Sequence, residues 1–280
     1  MAAFPGILQN SRLKAMIIPR EHGAWGMLLV PLVTGAVVAV RSSIDFAALA
    51  IFLVAALSLF WLRTPVEAWL GTSASKAQSP SERSAVARAS VALAAVTAVA
   101  VATLFISGYS RGLLTIGAVA AVALAAQAAV KKMGRRGRMP AQIIGAIGLT
   151  STAAGAYYVA TGKLDRIAVA LWLANWMFAG DQVHFVQVRI HSSRAASVNE
   201  KLRQGYAFLA GQFFLLGIVV ALCWLNVFPK FVVFAFVPVL LRGTLWFLRG
   251  RQPLDVHKLG FSELAQALIF GTLLCVAFLL

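Results

Sequence analysis

The sequence predicts an all-α fold: a polytopic membrane helical bundle with about nine transmembrane helices and a cytoplasmic N-terminus. Three observations carry this. Hydrophobic residues fill 60% of the 280 positions and charged residues only 12%, about half the charge of a soluble domain. The apolar residues fall into runs of about 20, the length of helix that crosses about 30 Å of hydrocarbon. The cations alternate between the gaps that separate those runs. Of the 25 Lys and Arg, Arg41, Arg111, Lys163, Arg166 and Lys230 fall in or beside one set of gaps and the remaining twenty in or beside the other. Short cytoplasmic connectors concentrate Lys and Arg, which puts the N-terminus inside and the C-terminus outside.

The segments follow in order. The first, 22–40, comes after Pro19-Arg20-Glu21 and opens on His22-Gly23-Ala24-Trp25-Gly26. Proline suits the first turn of a helix, and a carboxylate at Glu21 meets the unpaired amides there. The second, 44–62, runs into Arg63-Thr64-Pro65-Val66-Glu67, where Pro65 removes a ladder hydrogen bond. Residues 71–84 read as a flexible loop, with Ser81 or Ser84 capping the third helix and Glu82 as a solubilising loop residue. The third and fourth, 85–107 and 111–130, are rich in alanine, which favours close helix packing in lipid. A Gly-broken basic turn at 131–139 precedes the fifth, 140–160, where Gly145, Gly148 and Gly155 extend the small-residue surface. The sixth, 165–188, carries the most informative polar residues. The seventh and eighth are 204–225 and 228–247, with Glu200 in the loop before them. Pro31 and Pro238 are the expected helix breaks. The ninth, 259–279, follows Asp255, His257 and Lys258. No connector is long enough for a soluble domain, so residues 1–280 read as a single integral membrane domain.

A formal charge of +16 points to nucleic acid in a polar protein. Here the cations sit in short connectors facing anionic headgroups, so the expected partners are membrane lipids and no nucleic acid. Cys223 and Cys275 lie in apolar runs without metal spacing and read as buried thiols. Polar residues 19–22 precede the first long apolar run without a cleavage signal, which argues against a cleaved signal peptide.

The candidate functional residues gather at the cytosolic helix ends: Glu21, Glu67, Asp181, Asp255 and Glu263, with His22, His184, His191 and His257. Ionisable groups at membrane depth usually pair or line a cavity. Arg63 and Glu67, four apart, either pair across one turn or serve a phosphate and a cation. Asp181, His184 and His191 share a face of the sixth helix. Asp181 either orients His184 or joins it in holding a metal. Glu263 and Gln266 share a face of the ninth, and Arg242 and Arg249 reach a phosphate or snorkel to headgroups. Gathered in one cytosol-facing cavity, carboxylates hold Mg²⁺ while Arg takes diphosphate. A His–Glu cluster instead suits Fe or Zn. Either arrangement suits a lipid phosphate with an apolar tail.

Ile18-Pro19-Arg20-Glu21-His22-Gly23-Ala24-Trp25-Gly26-Met27, with Pro31, Gly35 and the Gly260-Phe261-Ser262-Glu263 start of the last segment, resembles the YwiC-like family of bacterial membrane proteins. That likeness implies a bacterial inner (cytoplasmic) membrane. More distantly the chain resembles the UbiA-type intramembrane prenyltransferases, which have nine spans, a cytosolic active site and Asp-rich motifs after the second and sixth helices. Glu67 and Asp181 stand in those neighbourhoods, but neither place carries a paired-Asp motif. The implied function is an intramembrane enzyme acting on a lipid-like substrate, most concretely Mg²⁺-dependent prenyl transfer from a prenyl diphosphate. Glu21, Glu67, Asp181, His184, His257 and Glu263 are the metal candidates; Arg20, Arg63 and Arg189 would bind phosphate. His184, with Asp181 and Glu67, would serve catalysis and take a proton from the acceptor. The alternatives are a metal-dependent membrane enzyme with a His/carboxylate site, and a non-enzymatic carrier or lipid-binding protein for an apolar or prenylated small molecule.

Overall fold

The computed structural model describes residues 12–19, 22–72, 75–134, 137–195, 197–248 and 254–280. Ten α-helices and no strand occur among them. In chain order these are α1 (His22–Val38), α2 (Phe46–Trp69), α3 (Pro80–Leu104), α4 (Ser110–Lys131), α5 (Arg138–Thr150), α6 (Thr152–Thr161), α7 (Arg166–His191), α8 (Val198–Trp224), α9 (Val232–Leu248) and α10 (Val256–Leu279). All nine apolar segments lie on helix. Six stretches have the length and apolarity to cross a bilayer: Gly23–Arg41, Phe46–Trp69, Pro80–Lys131, Arg138–Thr161, Val198–Trp224 and Val256–Leu279. The chain is a membrane protein.

Six differs from the expected nine for three local reasons. Pro80–Lys131, counted as one stretch of 52 residues, is two helices, α3 and α4, that meet at a kink in Phe105–Tyr109. Gly108 there has φ 94°, a conformation glycine adopts without steric cost. The apolar helix α9 has only 17 residues. The third reason is α7, which is long enough at 26 residues but buries Asn175, Asp181 and Gln182, a load of polar groups that suits protein rather than lipid neighbours.

Two compact units result. The first comprises Asp45–Ser110 with the described part of residues 1–21. There α2 packs along α3, and residues 12–17 add a helical turn whose Met16 is fully buried among Ala68, Ala77 and Val86. Trp61 Nε1 donates to the Ile17 carbonyl at 2.6 Å. The cap of α3 is Ser79, not Ser81 or Ser84: its hydroxyl accepts from the Glu82 amide, and Glu82 reaches back to the Ser79 amide in a capping box. Glu82 is therefore a buried helix residue facing Arg12 at 3.3 Å, not a loop residue. The sequence reading missed it because Pro80 at the first helical position extends α3 beyond its apolar run. Glu200 is likewise helical, in the first turn of α8 beneath the Ser197 cap.

The second unit contains His22–Ile44 and Arg111–Leu280. Here α7 is the central helix, in contact with α1, α5, α6, α8 and α9. Phe178 on α7 stacks on Phe270 of α10 with ring centroids 4.0 Å apart. Pro31 and Pro238 do not end their helices; both lie inside continuous α1 and α9. Proline is tolerated inside membrane helices that pack against neighbours, and beside Pro31 a hydroxyl of α1 pairs with an amide of α7. Thr34 Oγ1 donates to the Pro31 carbonyl at 2.8 Å and accepts from Asn175 Nδ2 at 3.1 Å. The break falls instead at Ser151, between α5 and α6. Thr152 Oγ1 there donates to the Leu28 carbonyl of α1 at 3.0 Å.

Two outcomes follow. A Cβ on Gly35 of α1 would collide with the Ala153 carbonyl of α6, whereas Gly117 faces open space. Gly35→Ala is expected to cost about 1–3 kcal/mol by overpacking, and Gly117→Ala to leave thermal unfolding in detergent unchanged or slightly higher. Asp45, which caps α2, is held below its ordinary carboxylate value first by the Ala48 amide and next by the Tyr109 hydroxyl. A depressed folded value means that its contribution is full above the unfolded value of about 3.9 and is lost as pH falls through the folded one. Unfolding followed from pH 6 to pH 3 should therefore show a shallower acid-side loss in Asp45→Asn, which keeps the cap and removes the charge.

Candidate functional site

Three charged residues inside apolar segments meet in the second unit. Asp181 belongs to α7, Arg242 to α9 and Glu263 to α10. The Arg242 guanidinium donates from Nη2 to Asp181 Oδ2 at 3.1 Å and from Nη1 to Glu263 Oε2. The two carboxyl residues are 7% and 8% exposed, so the pairing is largely removed from solvent. Burying ions costs several kcal/mol each unless further hydrogen bonds hold them, and for Asp181 an amide supplies one. Gln212 of α8 donates to Asp181 Oδ1. Gln182 of α7 donates to the Glu263 backbone carbonyl at 2.8 Å. The guanidinium also lies 4.1 Å from the Phe185 ring centroid, a geometry favourable for a cation over an aromatic face.

The position of each group follows from helical periodicity. Asn175, Phe178, Asp181, Gln182 and Phe185 recur at spacings of three and four on the buried face of α7. On the same helix, His184 lies beside that stripe, edge-on to Phe208 at 5.1 Å. Asp181 therefore takes its partners from α8 and α9. His191 is exposed and its Nδ1 lies 2.9 Å from the Gln187 carbonyl.

Beside the cluster, α7, α9 and α10 enclose a pocket of about 520 Å³. Its lining mixes apolar side chains, Phe185, Pro238, Leu241, Leu245, Trp246 and Leu259, with the polar Arg189, Arg242, Lys258, Asp255, Ser262 and Gln266. Asp255 is already used as the cap of α10, accepting from the His257 and Lys258 amides. Those amides, Lys258 first, hold its carboxyl below the usual range. The carboxylate stays charged and lies 3.8 Å from Lys258 Nζ, so the lining carries three cations and one anion. Arg189 and Lys201 both approach the Trp246 ring, at 5.6 and 5.0 Å. Several buried polar atoms of this region have no hydrogen-bond partner among the described residues: Gln212 Oε1, Arg242 Nε, Glu263 Oε1 and Gln266 Oε1.

The structure thus brings Asp181 and Glu263 together and places Arg189 in the neighbouring pocket wall. Glu67, in the first unit, accepts from Arg63 Nε at 2.9 Å across one helical turn, the local pairing that the spacing allowed. His257 is exposed. Arg20, Glu21, Arg249 and the side chain of His22 lie outside the described residues. No group of three or more His, Cys, Asp or Glu is placed to hold a metal ion among the described residues. Sequence reasoning gave Arg242 a phosphate or a headgroup and missed Gln182 and Gln212. The signal was present: Arg242 and Gln212 are lone polar residues within apolar runs, and such residues must find partners inside the protein.

The YwiC-like protein family matches residues 18–158, just over half of the 280 residues, and the chain belongs to that family. No curated protein and no solved structure matches it. Asp181, Arg242 and Glu263 all lie beyond the matched residues.

Removing Arg242 strands two buried carboxylates. Arg242→Met is expected to destabilise the detergent-solubilised protein by about 3–5 kcal/mol. Adding Asp181→Asn and Glu263→Gln should restore most of that loss in thermal unfolding. A triple variant no more stable than Arg242→Met alone would rule out this electrostatic origin.

Proposed function

We propose that this YwiC-like protein is a multi-pass protein of the bacterial cytoplasmic membrane that binds a lipid-like anion in the pocket between α7, α9 and α10. Its N-terminus is inside and its C-terminus outside. Nine crossings give this topology, with α5 and α6 together making one. The twenty-to-five division of Lys and Arg supports the orientation, since only this direction puts the cation-rich connectors in the cytoplasm.

One observation carries the ligand class. The pocket lining combines Trp246, Phe185 and aliphatic side chains with Arg189, Arg242 and Lys258. Arginine and lysine bind phosphate oxygens through charge-assisted hydrogen bonds. The apolar side chains suit an adjoining hydrocarbon chain. A phosphorylated amphiphile offers both groups at once.

Chemistry on that ligand is the enzymatic form of the reading. Prenyl transfer remains its most concrete version, with Arg189 holding phosphate; His184 packs against Phe208 of α8 and is not among the pocket-lining residues, so it takes no proton there. The donor set does not fit the Mg²⁺ of UbiA-type enzymes: Asp181 and Glu263 share Arg242, Glu67 pairs with Arg63, and no acidic pair adjoins either carboxylate in the sequence. The mutual satisfaction of these charges favours recognition of the anion, so a lipid-binding or carrier role for the same pocket is the second reading.

Replacing Arg189 and Lys258 together by Ala is expected to weaken binding of a short-chain phosphatidic acid at least about tenfold, since a charge-assisted bond contributes about 1.5–3 kcal/mol. Tryptophan fluorescence of the detergent-purified protein measures it, with thermal unfolding as the control for folding. Undiminished affinity in a folded double variant sinks the proposal.

A further inference from the structure

Two residues of α7 and two of α9 interlock beside the charged cluster. Phe185 and Arg189 stand four apart on α7, and Arg242 and Trp246 stand four apart on α9, so each pair shares a helix face. Each arginine lies over the other helix's ring. Arg242 is 4.1 Å from the Phe185 centroid, and Arg189 is 5.6 Å from that of Trp246. The two rings meet edge to face with centroids 6.1 Å apart. All four residues line the pocket.

The arginines differ in what else holds them. Arg242 gives both terminal nitrogens to Asp181 and Glu263. Arg189 stands in the last turn of α7, over a ring that is itself fixed. Trp246 is 6% exposed and packs edge-on against Phe247 with centroids 4.7 Å apart. Phe247 in turn lies so close to Gly205 of α8 that a Cβ there would collide with its ring. A long side chain loses rotamer freedom when it closes on an anion, and a surface that holds it beforehand removes part of that cost. A ring face attracts a cation through its quadrupole. It therefore holds the charge without neutralising it, whereas a carboxylate would compete with phosphate. Lys201 of α8 lies over the same ring at 5.0 Å, but it is not among the pocket-lining residues, and Arg189 is. We propose that Trp246 is the positioning residue of the lipid-anion site, its ring holding the Arg189 guanidinium at the pocket before the phosphate arrives. The inference rests on the reading of the pocket as a lipid-anion site and adds the residue that prepares its phosphate-binding cation.

A double-mutant cycle tests it. Calorimetric titration of the full-length protein in neutral detergent measures the affinity for a short-chain phosphatidic acid. Trp246→Leu is expected to weaken binding about fivefold, the worth of one cation–ring contact. Trp246→Phe, which keeps a ring face, should stay within about twofold of the natural protein. In Arg189→Ala, which keeps Lys258, adding Trp246→Leu should cost less than about twofold, because the ring has no guanidinium left to hold. Trp246→Met gives the same readout should the leucine variant not fold, with thermal unfolding as the control. An equal loss with and without Arg189 would mean that Trp246 acts by touching the lipid or by supporting the fold, and it overturns the inference while leaving the lipid-anion reading standing. So does a loss in Trp246→Phe as large as in Trp246→Leu, or no loss in either. Failure of the natural protein to bind the lipid overturns the two together.

Discussion

A guanidinium held away from water between two carboxylates sets the terms for the second unit. Arg242 joins α9 to α7 through Asp181 and to α10 through Glu263. Lipid solvates none of these groups, so the helices that carry them must meet. The cost of dehydrating them explains the Gln212 amide on Asp181 Oδ1, while Gln182 ties α7 to the main-chain carbonyl of Glu263. One cation faces two anions, and the Phe185 ring supplies a further favourable surface for it. The arrangement is specific as well as cohesive. A rotation of α7 by one residue would turn Asp181 by about 100° about the helix axis, away from both partners.

The pocket follows from the same pairing. With both of its terminal nitrogens on Asp181 and Glu263, Arg242 lines the cavity together with Arg189, Lys258 and Gln266. Trp246 faces that space with cations over its ring. The cluster that organises the helices therefore also supplies one edge of the cavity, and its residues cannot be assigned wholly to structure or wholly to recognition.

Much of the site was legible from composition alone. Asp181 and Glu263 stood out as acids within apolar runs, and the structure brings them together. Arg189 stood out as a cation at the end of the sixth run, and it lines the pocket. Glu67 stood out equally, yet its partner is its own neighbour, Arg63, four residues earlier. Spacing on one helix reveals a pairing of that kind, and it was weighed as such. Arg242 sits 61 residues from Asp181 and 21 from Glu263. No local pattern connects them, so its true partners were hidden even though its isolation in an apolar run marked it as needing some.

By itself the sequence determined the helical class, the membrane setting and the positions of the apolar segments, because lipid forces each backbone amide to bond within its own helix and leaves a composition that can be read directly. It also determined local caps and pairs, though Ser79 was misplaced because Pro80 carries α3 into a polar stretch. Only the tertiary structure decided that Pro31 and Pro238 stay within continuous helices while Ser151 breaks one, and that a single guanidinium serves two distant acids. Those outcomes depend on which side chains neighbouring helices present, and the partners come from segments tens of residues away.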